Sequence, residues 1–503
     1  MARPTFLEAI ILHICRYYGT AFCILGRALA LLILKVVDFI CSNLCCKVVN
    51  SPEAHAKKVD HVKKQILDWN KNGRTKLCTA RPGWKSMSLR IPAYKKTMTG
   101  IDLSSLDEVV KIDENSMTLT VEPLVKMGPL TKILDAKGWT IPVVPELDFL
   151  TVGGLICGAG VETSSHKYGL FHNTCISYEV VLASGEVVNA SKDENSDLFY
   201  AIPGSYGTLG FLTAATIRIF KAEKYVKLSY IRVNSLDEAT ERITEESLKS
   251  PGHDFVEGIM YSLDKGVIMV GSLTSKPEPG KINSVTRWYK KSFYKHVESF
   301  LSLSQLAPKV EYIPLRDYYH RHTYCLFWLC PHYTPYIDSA LFRYLFGWTG
   351  PGDNYTYKIM PPYFRRLFEL NLVVQDLIVP IGKTKKALQY FHDTVEVYPV
   401  WLCPAKGFNE PGFFKFEGNP MYMDIGIYGQ SGKPDEYETD KSNKALEQFC
   451  LQNKCAKGMY ADTWLNRDEF YQMFDPTLYN KVRTELNCLD GFPDVYEKIA
   501  GRT

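Results

Sequence analysis

The sequence predicts an α+β protein that folds into two domain-sized bodies behind an apolar N-terminal segment. Three observations lead to this prediction. The chain has 503 residues, and 46% of them are hydrophobic, which is enough to bury two cores of ordinary size. Strand-like alternation and helix-like periodicity follow one another along the chain beyond about residue 51. Before that point, the stretch from Phe6 to about Cys46 is apolar apart from a few polar positions.

Charge and cysteine content argue against two classes of protein. Charged residues make up 23% of the chain, and the net charge of +4 is spread thinly, whereas nucleic-acid binding needs a concentrated basic stripe. The 14 cysteines show no repeated metal-type spacing, and the adjacent Cys45 and Cys46 cannot easily chelate together. His320 and His322 have no third ligand nearby, so no metal site is expected. The chain is far longer than a small disulfide scaffold, which favours reduced thiols in a body facing the cytosol.

The N-terminal segment has the composition of a membrane helix. Tyr17 to Leu34 contains a single charge, Arg27, and just reaches spanning length. Such a helix either lies in the interface or spans the bilayer with its polar stripe facing a partner. A cleaved signal peptide is disfavoured, because no basic region precedes an uninterrupted apolar core. The lysines from Lys47 to Lys64 predict that a spanning helix leaves the body in the cytosol. The polar positions of the segment fall on one helical face: His13, Arg16, Thr20, Arg27, Lys35 and Asp38.

The first body alternates helices and strands. Glu53 to Asn70 is predicted as an amphipathic helix, with one apolar face formed by Val59, Val62, Ile66 and Trp69. A hairpin is expected around Ser184-Gly185, and Asn195 or Ser196 is expected to cap a short helix that runs through Tyr200. The remaining predicted elements are strands Glu108–Ile112, Met117–Glu122, Thr140–Val144, Ile176–Ala183 and Glu186–Ala190, the helix Gly128–Ala136, and a long strand Thr208–Phe220 interrupted at Gly210.

A glycine-rich run lies in the middle of this first body. Four glycines fall between Gly153 and Gly160. Glycine permits positive φ and close approach, and consecutive backbone N–H groups at such a turn can hold a phosphate. The run is not a Rossmann fingerprint, because Thr163 stands where the third glycine should be and no apolar strand leads into it. A loop that holds a pyrophosphate in another architecture is the favoured interpretation, and a glycine-rich loop without function is the alternative.

Longer runs of the chain resemble a known family. Thr151–Thr163 resembles the pyrophosphate-binding loop of the vanillyl-alcohol-oxidase (PCMH) type of FAD domain. Its continuation, Ser164–Phe171, is similar to the sterol delta-24 reductase, or diminuto, family. The resemblance extends from about Ser51 to the C-terminus. Further runs that look like this family are Arg81–Trp84, Glu194–Tyr200, Gly207–Phe211, Tyr318–Thr323, Phe342–Trp348 and Tyr460–Asp462.

The resemblance implies a PCMH-type, two-subdomain FAD-binding domain, a mixed α/β cap domain that binds substrate, and an N-terminal membrane helix. The chain would then divide into a membrane segment (1–50), the FAD domain (51–225), the cap (226–445) and a C-terminal helical segment returning to the FAD domain (446–503). The residues expected to bind FAD are Arg81, Pro82, Gly83, Thr151, Val152, Gly153, Gly154, Leu155, Ile156, Cys157, Gly158, Ala159, Gly160, Val161, Glu162, Thr163, Ser165, His166 and Gly210.

The chain departs from the family pattern at several positions. Many relatives carry a histidine, in the loop that follows Pro82, that bonds covalently to the flavin. This chain has Trp84 and Lys85 there, which implies non-covalent FAD. Other departures are Gly204 and Tyr206, in place of a tryptophan and a cysteine, and Phe149 in place of an acid. These changes would reshape the wall of the site and leave the loop itself intact.

The second body begins near Lys221–Leu228, where the composition shifts. Tyr312 to Trp348 is dense in aromatic residues. Such a lining suits a rigid polycyclic sterol, although any single aromatic is better explained by core packing. The segment from Tyr460 to Arg483 is predicted to be helical. The predicted strands are Val256–Ser262 and Gly266–Leu273, paired as a hairpin, with Val397–Leu402 and Met421–Tyr428 further along.

The resemblance also implies a reaction, the NADPH-dependent saturation of the sterol C24–C25 double bond. No carbonyl polarises this alkene, so a protein group must give a proton while the reduced flavin supplies hydride. The candidates for the proton donor are Tyr319, His320, Tyr460 and Asp462. No nicotinamide fingerprint is found, so NADPH would use the same pocket in alternation. The expected partners are a sterol and membrane lipid, with no nucleic acid.

Three functions stay open at this point: the reductase, another flavin oxidase or dehydrogenase of the same fold, and a membrane-anchored protein that binds sterol or flavin without turnover. NADPH consumption with a delta-24 sterol separates the first from the others. The expected location is the endoplasmic reticulum membrane, with the Golgi as the alternative, through a single N-terminal anchor. The preference between desmosterol-like and 24-alkylidene sterols is left open, and so is the oligomeric state.

Overall fold

The structure is a computed structural model, and it describes residues 51–500 except 73–74, 89–91, 303–307, 350–371, 417 and 419, together with residues 10, 13 and 14. Within this part of the chain, no helix combines the length and the apolar character needed to cross a bilayer. The predicted membrane segment, residues 1–50, lies outside the described residues apart from those three positions.

Strands and helices alternate throughout the described chain. The strands are β1 (Leu77–Thr79), β2 (Thr99–Ile101), β3 (Val109–Asp113), β4 (Thr118–Val121), β5 (Trp139–Thr140), β6 (Cys175–Val181), β7 (Val187–Ser191), β8 (Phe211–Arg218), β9 (Phe220–Lys221), β10 (Tyr225–Val233), β11 (Phe255–Ser262), β12 (Lys265–Thr274), β13 (Lys309–Pro314), β14 (Leu372–Pro380), β15 (Val400–Lys406), β16 (Met421–Gln430) and β17 (Ala456–Lys457). The helices are α1 (Pro52–Asn72), α2 (Met127–Asp135), α3 (Val152–Gly158), α4 (Ser165–Tyr168), α5 (Ser196–Ala201), α6 (Leu236–Leu248), α7 (Phe293–Glu298), α8 (Leu315–Tyr319), α9 (Cys330–Tyr333), α10 (Ala340–Phe346), α11 (Thr384–Thr394), α12 (Thr439–Gln452), α13 (Arg467–Met473), α14 (Thr477–Glu485), α15 (Cys488–Gly491) and α16 (Val495–Ile499).

The first body is built on a five-stranded antiparallel sheet with the order β3-β4-β8-β6-β7. The predicted hairpin is present, since Val181 pairs with Val187 across the turn that holds Ser184 and Gly185. Helix α1 packs beside this sheet and buries Val59, Val62 and Ile66, as its apolar face predicts. Two short pairs, β1 with β2 and β5 with β9, complete the strands of this body.

The second body is an eight-stranded sheet with the order β13-β10-β12-β11-β15-β16-β14-β17, and all its strand pairs are antiparallel. The side chains of strand β15 alternate between the two faces of the sheet, and each face packs in a different core. Val400 and Leu402 belong to a core formed with helices α6, α11 and α12 on one face. Trp401 and Cys403 point the other way, into the core shared with the first body. The face that carries Trp401 therefore meets the first body.

Prolines account for two boundaries that differ from prediction. The strand predicted at Thr140–Val144 is only the pair Trp139–Thr140, because Pro142 has no N–H to give to a ladder. The strand predicted from Val397 starts at Val400, just after Pro399. The hairpin of β11 and β12 and the strand β16 are where the sequence predicts them, to within three residues.

Three further predictions are corrected by local contacts. Asn195 stands at the start of α5, but its side-chain amide donates to the Asn189 carbonyl at 2.7 Å and does not cap the helix. Gly210 precedes strand β8 and does not interrupt it; its role is close approach, because a Cβ there would lie 2.5 Å from Val180 Cγ1. The segment from Tyr460 to Arg483 is not one helix. It contains α13 and the first part of α14, which are separated around Pro476.

Candidate functional site

A large cavity lies between the two bodies. Its volume is about 520 Å³, within the range of roughly 300–1,000 Å³ that small-molecule pockets occupy. One wall comes from the first body, through the loop that follows β1 and through helix α3. The opposite wall comes from strands β14, β15 and β16 of the eight-stranded sheet. Residues 497–499, far along the chain, close part of the first wall.

The glycine-rich run lines this cavity as a helix and the turn after it. Thr151 has extended backbone, and helix α3 begins at Val152 and ends at Gly158. The residue that follows it, Ala159, has a φ of +56°. Positive φ therefore falls on Ala159, and neither Gly158 nor Gly160 requires it. The Gly153 N–H donates to the Pro123 carbonyl at 2.8 Å, and a Cβ on Gly153 would lie 2.7 Å from the Pro123 ring. The run thus needs glycine for close packing of the backbone.

The two end glycines of the run have different surroundings. A Cβ on Gly160 would lie 2.7 Å from Leu155 Cδ2 and 3.2 Å from Pro145, both within the protein. A Cβ on Gly158 would meet only the Tyr206 ring, at 3.5 Å from its hydroxyl oxygen, which is an ordinary contact distance. Gly160 is therefore fixed by internal packing, whereas Gly158 faces open cavity.

Most of the residues predicted to bind FAD lie in the cavity wall. Those that line it are Arg81, Pro82, Gly83, Thr151, Gly153, Gly154, Leu155, Cys157, Gly158, Ala159, Gly160, Val161 and Gly210. The wall does not include Val152, Ile156, Glu162, Thr163, Ser165 or His166.

The predicted residues outside the wall have other contacts. Val152 and Ile156 belong to the core. Thr163 shares a hydrogen bond of 3.1 Å with the Tyr318 hydroxyl, and Ser165 Oγ accepts from the Glu162 N–H. His166 contacts two backbone carbonyls, those of Thr163 and His253. These side chains pack or hydrogen-bond within the protein next to the glycine-rich segment and do not line the cavity.

Cationic side chains line the wall that the first body contributes. Arg81 donates to Thr151 Oγ1 at 3.1 Å, which ties the first loop to the start of α3. Lys95 donates to the Thr79 and Arg81 carbonyls at 2.7 and 2.5 Å. Lys498 donates to the Tyr206 carbonyl at 2.5 Å. Burial, and next the charge of Lys95, lower the pKa of Lys498 to about 8. This wall therefore suits an anionic group such as a pyrophosphate.

The opposite wall is aromatic and carries two buried carboxyl groups. Phe327, Trp401 and Tyr428 pack together there, and the centroid of the Phe327 ring lies 5.1 Å from that of Trp401 and 5.1 Å from that of Tyr428. Asp376 lies on β14 and Asp424 on β16, and both line the cavity. Both oxygens of Asp424 are buried without a hydrogen-bond partner among the described residues.

The four candidates for the proton donor lie in different places. Tyr460 lines the cavity, and the other three are not in its wall. Tyr319 shares a hydrogen bond of 2.9 Å with Thr140. His320 contacts Thr131 Oγ1 at 2.8 Å, and burial lowers its pKa to about 4, so the ring is neutral near pH 7. The backbone carbonyl of Asp462 accepts from Lys457.

A buried ion cluster joins the two bodies next to the cavity. Arg321 donates to Glu162 at 2.8 Å and to Glu257 at 2.9 Å, and all three side chains are 2% exposed or less. Trp401 Nε1 adds a hydrogen bond of 3.0 Å to Glu257. Glu146 lines the cavity beside this cluster, and burial, followed by the charge of Glu162, raises its pKa well above the usual range.

Sequence reasoning missed Lys95, Lys498 and the carboxyl pair. The lysines carry no motif and reach the cavity only through the tertiary fold. The carboxyl groups had a detectable signal. Asp424 interrupts a run of mainly apolar residues in β16, and Asp376 follows Gln375 in the middle of the mainly apolar β14. A carboxyl group in such a run requires an explanation.

The chain shares its sequence with known flavin-domain proteins. A family model described as an FAD binding domain matches residues 54–191. The delta(24)-sterol reductase of Homo sapiens is 44% identical over 472 residues, which cover 93% of this chain and 90% of the relative. A delta(24)-sterol reductase homolog of Caenorhabditis elegans is 42% identical over 94% of this chain and 92% of its own length. The delta(24)-sterol reductase of Arabidopsis thaliana is 39% identical over 88% of this chain and 84% of its own length. The chain therefore belongs to the delta(24)-sterol reductase family and carries an FAD-binding domain.

Proposed function

We propose that this protein reduces the delta-24 side-chain double bond of sterols, with bound FAD as the redox group and NADPH as the source of hydride. The observation that carries the proposal is the cavity itself. It joins the glycine-rich helix and cationic wall of the FAD-binding domain to an apolar, aromatic wall of the second body. The reaction is taken from the names of the relatives. The cavity is a single space in which FAD and a sterol can lie next to each other.

The residues of the cavity fit FAD. Gly158 leaves the wall without a side chain at the end of α3, so a flat or extended group can approach the backbone there. Arg81, Lys95 and Lys498 supply positive charge for the pyrophosphate. FAD held there would supply the hydride transfer from NADPH to the alkene. The chain's own residues orient the sterol, exclude water and hold a proton.

We propose that this FAD is held without a covalent bond. No histidine lines the cavity in the part of the chain that the structure describes. Cys157 does line it, but burial raises the pKa of its thiol to about 11, so the thiolate that would attack a flavin is scarce near pH 7. Acid precipitation should leave the yellow colour in the supernatant, and colour that stays in the pellet would contradict the proposal.

The aromatic wall suits the sterol. A steroid nucleus offers flat apolar area and little hydrogen bonding, so its binding depends on burial and on shape. Leu326, Phe327, Leu329, Val374 and Ile378 give the cavity an apolar surface next to Trp401. Both desmosterol-like and 24-alkylidene sterols fit this chemistry, and we propose the class as a whole.

The test is a single assay on purified full-length protein. The expected results are a flavin absorbance spectrum, NADPH oxidation that depends on a delta-24 sterol, and a product two mass units heavier, as the addition of two hydrogens requires. An oxidase of the same fold would consume oxygen with an alcohol substrate and leave the sterol unchanged. A binding protein without turnover would hold flavin and sterol and change neither. Either result would overturn the proposed reaction.

We propose that residues 1–50 attach the protein to the endoplasmic reticulum membrane, with the catalytic body in the cytosol. The apolar run Tyr17–Leu34 and the lysines after it support this proposal. Deletion of residues 1–50 should move the protein to the soluble fraction with its flavin still bound, because the cavity is lined by residues from 79 onwards. A deletion protein that still sediments with membranes would require a second attachment surface.

A further inference from the structure

The carboxyl groups of Asp376 and Asp424 share one face of the eight-stranded sheet. In the antiparallel pairing of β14 with β16, Asp376 lies opposite Gly426, and Asp424 lies opposite Ile378. Asp424 is thus two residues from the partner of Asp376, and alternation puts both side chains on the same face. The residues that flank Asp424, Met423 and Ile425, belong to the core on the other face.

Gly426 lets a tyrosine reach this pair. A Cβ on Gly426 would lie 2.5 Å from the Tyr428 hydroxyl oxygen, so the Tyr428 ring folds back along its own strand over the glycine. There its hydroxyl donates a hydrogen bond to the carboxylate of Asp376, the residue opposite Gly426. Any side chain at position 426 would block this bond.

A second tyrosine connects the pair to the cavity. Tyr460 also hydrogen-bonds to the Asp376 carboxyl group, and unlike Asp424 it is partly exposed. The turn that holds it is tied to β14, because the Gly458 N–H donates to the Asp376 carbonyl at 2.8 Å. A Cβ on Gly458 would lie 3.2 Å from both Asp376 Cβ and Tyr460 Cε1, so the ring stacks closely beside this strand. Tyr460 lines the cavity and also bonds to the Asp376 carboxyl group, so its hydroxyl can pass a proton from the pair to a ligand.

Too few cations and hydrogen-bond donors surround Asp376 and Asp424 to stabilise a negative charge on both. Asp424 is 0% exposed, and neither of its oxygens has a hydrogen-bond partner among the described residues. Burial, and next the charge of Asp376, raise the pKa of Asp424 well above the usual range. Burial also raises the pKa of Asp376 to about 6, although Tyr428, Tyr460 and Lys457 favour its ionised form. Lys457 is itself engaged by Glu447 at 2.5 Å, and Cys403, opposite Asp424, is an uncharged thiol.

We infer that the Asp376–Asp424 pair keeps one proton as the acid store for the reduction, and that Tyr460, which hydrogen-bonds to Asp376, delivers this proton to the sterol alkene. The inference rests on the proposed function and deepens it. Tyr460 is then the catalytic residue, while Asp376, Asp424 and Tyr428 act through it. A phenol alone is a weak acid for this task. When a carboxyl proton replaces the one that Tyr460 gives up, no phenolate charge develops and the acid strength is that of the carboxyl group.

Atoms and electrons balance in this step. The Tyr460 O–H bond breaks as a C–H bond forms at the less substituted alkene carbon, and the stored proton moves to the Tyr460 oxygen. The tertiary carbon receives the hydride that NADPH provides by way of FAD. The sterol gains two hydrogens and two electrons, and NADPH is oxidised. The carboxyl pair carries one more negative charge until water restores its proton after the product leaves.

The first test separates the two half-reactions in the full-length holoenzyme under anaerobic conditions. Reduction of the flavin by NADPH should change less than about threefold in Asp424→Asn, Asp376→Asn and Tyr460→Phe. Reoxidation of the flavin by a delta-24 sterol should slow by roughly a hundredfold or more, the usual contribution of a general acid. The matched control is Tyr437→Phe, which removes a buried hydroxyl that bonds to Asn443 in the other core, and which should leave both rates unchanged.

Three further readouts distinguish a proton store from a structural role. Asp424→Asn should melt no lower than the wild type, since it removes a buried carboxyl group that has no partner to lose. The infrared spectrum of the wild type at pH 7 should contain a protonated-carboxyl band that this variant lacks, and that measurement needs no sterol. The rate of sterol-driven reoxidation should fall as the pH rises. Tyr428→Phe should move this fall to higher pH, because the lost hydrogen bond had favoured the ionised form of Asp376.

Different outcomes overturn different claims. If the wild type fails to reduce sterol yet shows the protonated-carboxyl band, the proposed function fails and the stored proton stands. If both Asp variants are reoxidised by sterol as fast as the wild type, the proton store is overturned. If Glu146→Gln alone abolishes reoxidation, the proton comes from the first body, and the assignment to Asp376 and Asp424 is likewise overturned.

Discussion

Asp424 occupies a position where an apolar residue would be more stable. It lies between Met423 and Ile425, each 0% exposed, and its oxygens have no hydrogen-bond donor among the described residues. A buried carboxyl group of this kind either takes up a proton or costs several kcal/mol as a charge. Stability that is given up at a cavity wall is a common mark of a functional site. Asp424 and the neighbouring Asp376 distinguish this part of the second body from an ordinary sheet core.

Gly158 is the position at which a mutation should remove the cofactor and leave the fold intact. Gly158→Val adds a branched side chain that meets only Tyr206 in the protein but projects into the cavity. Overpacking of a cofactor contact costs about 1–3 kcal/mol, which corresponds to a roughly tenfold to hundredfold loss of FAD affinity. The flavin-to-protein ratio after gel filtration should fall, with the melting temperature of the flavin-free protein unchanged.

The matched control for this mutation is Gly382→Val. A Cβ on Gly382 would meet nothing within 4 Å, and its φ is not positive, so the variant should keep its flavin. Gly432 lies between Ser431 and Lys433, a pattern typical of a surface turn. It is unsuitable as the control, because a Cβ there would lie 2.7 Å from the Glu396 carbonyl oxygen. Full flavin content in Gly158→Val would show that α3 is not in contact with the cofactor.

The sequence predicted which glycine-rich residues lie at the cavity better than it predicted the backbone conformation of those residues. The residues from Gly153 to Gly160 line the cavity, except Ile156, but positive φ belongs to Ala159 and not to a glycine. A glycine motif indicates that space is needed, and it does not say whether a ligand or the protein fills that space. Leu155 fills it at Gly160, while the cavity fills it at Gly158. Only tertiary contacts separate the two cases.

At the scale of elements, helix α1 is fixed to the first sheet by charge as well as by its apolar face. His55 contacts Glu122 at 2.8 Å and Glu179 at 3.1 Å, and Lys58 bonds to Glu108 and Glu122. Burial alone would lower the pKa of His55, but the bonds to Glu122 and Glu179 outweigh it and raise the pKa to about 9. The sequence predicted the apolar face of α1, because periodicity shows it, and missed these ion pairs, because their partners lie more than 40 residues away.

This arrangement predicts a pH dependence of stability. The folded pKa of His55, about 9, exceeds the usual value of 6.5, so its stabilisation is complete below about pH 6.5 and is lost as the pH rises through 9. Replacement of His55 by Gln should reduce the free energy of unfolding by about 2 kcal/mol at pH 6, as for hydrogen bonds to charged groups, and by less at pH 10. Urea unfolding at the two pH values measures the difference. An equal loss at both would show that the ring is uncharged in the folded protein.

At the scale of the whole molecule, the two bodies are joined through a buried charge cluster. The side chain of Arg321, which is 0% exposed, neutralises Glu162 from the first body and Glu257 from the second. The resemblance predicted a cap domain that binds substrate, but it did not predict this charge cluster between the two bodies. Burial opposes ionisation of Glu257, yet Arg321 holds its pKa at about 2. Loss of the arginine would therefore leave two buried carboxylates facing each other.

Arg321→Met should destabilise the protein far more than an exposed ion pair does. Removal of one partner of a buried ion pair costs about 3–5 kcal/mol. His322 Nε2 lies 3.6 Å from Glu257, but burial lowers the pKa of this ring, so it is a weak replacement for the arginine. The exposed pair of Lys481 with Asp197 supplies the control, Lys481→Met, which should unfold at the same urea concentration as the wild type. A small effect of Arg321→Met would mean that water reaches Glu162 and Glu257 when the arginine is absent.

Lys498 donates a hydrogen bond to the Tyr206 carbonyl and forms part of the cavity wall. Its late position in the chain has a consequence for the order in which the cavity forms during synthesis. The FAD-binding domain matches residues 54–191, yet the cavity is not closed until residues 497–499 join it. Until residues 497–499 have been synthesised and have packed against the first body, the glycine-rich helix can lie on its own sheet, but part of the cavity wall is missing. A cofactor held in this cavity would therefore need residues that are more than 300 positions apart in the chain to be in place before it binds tightly.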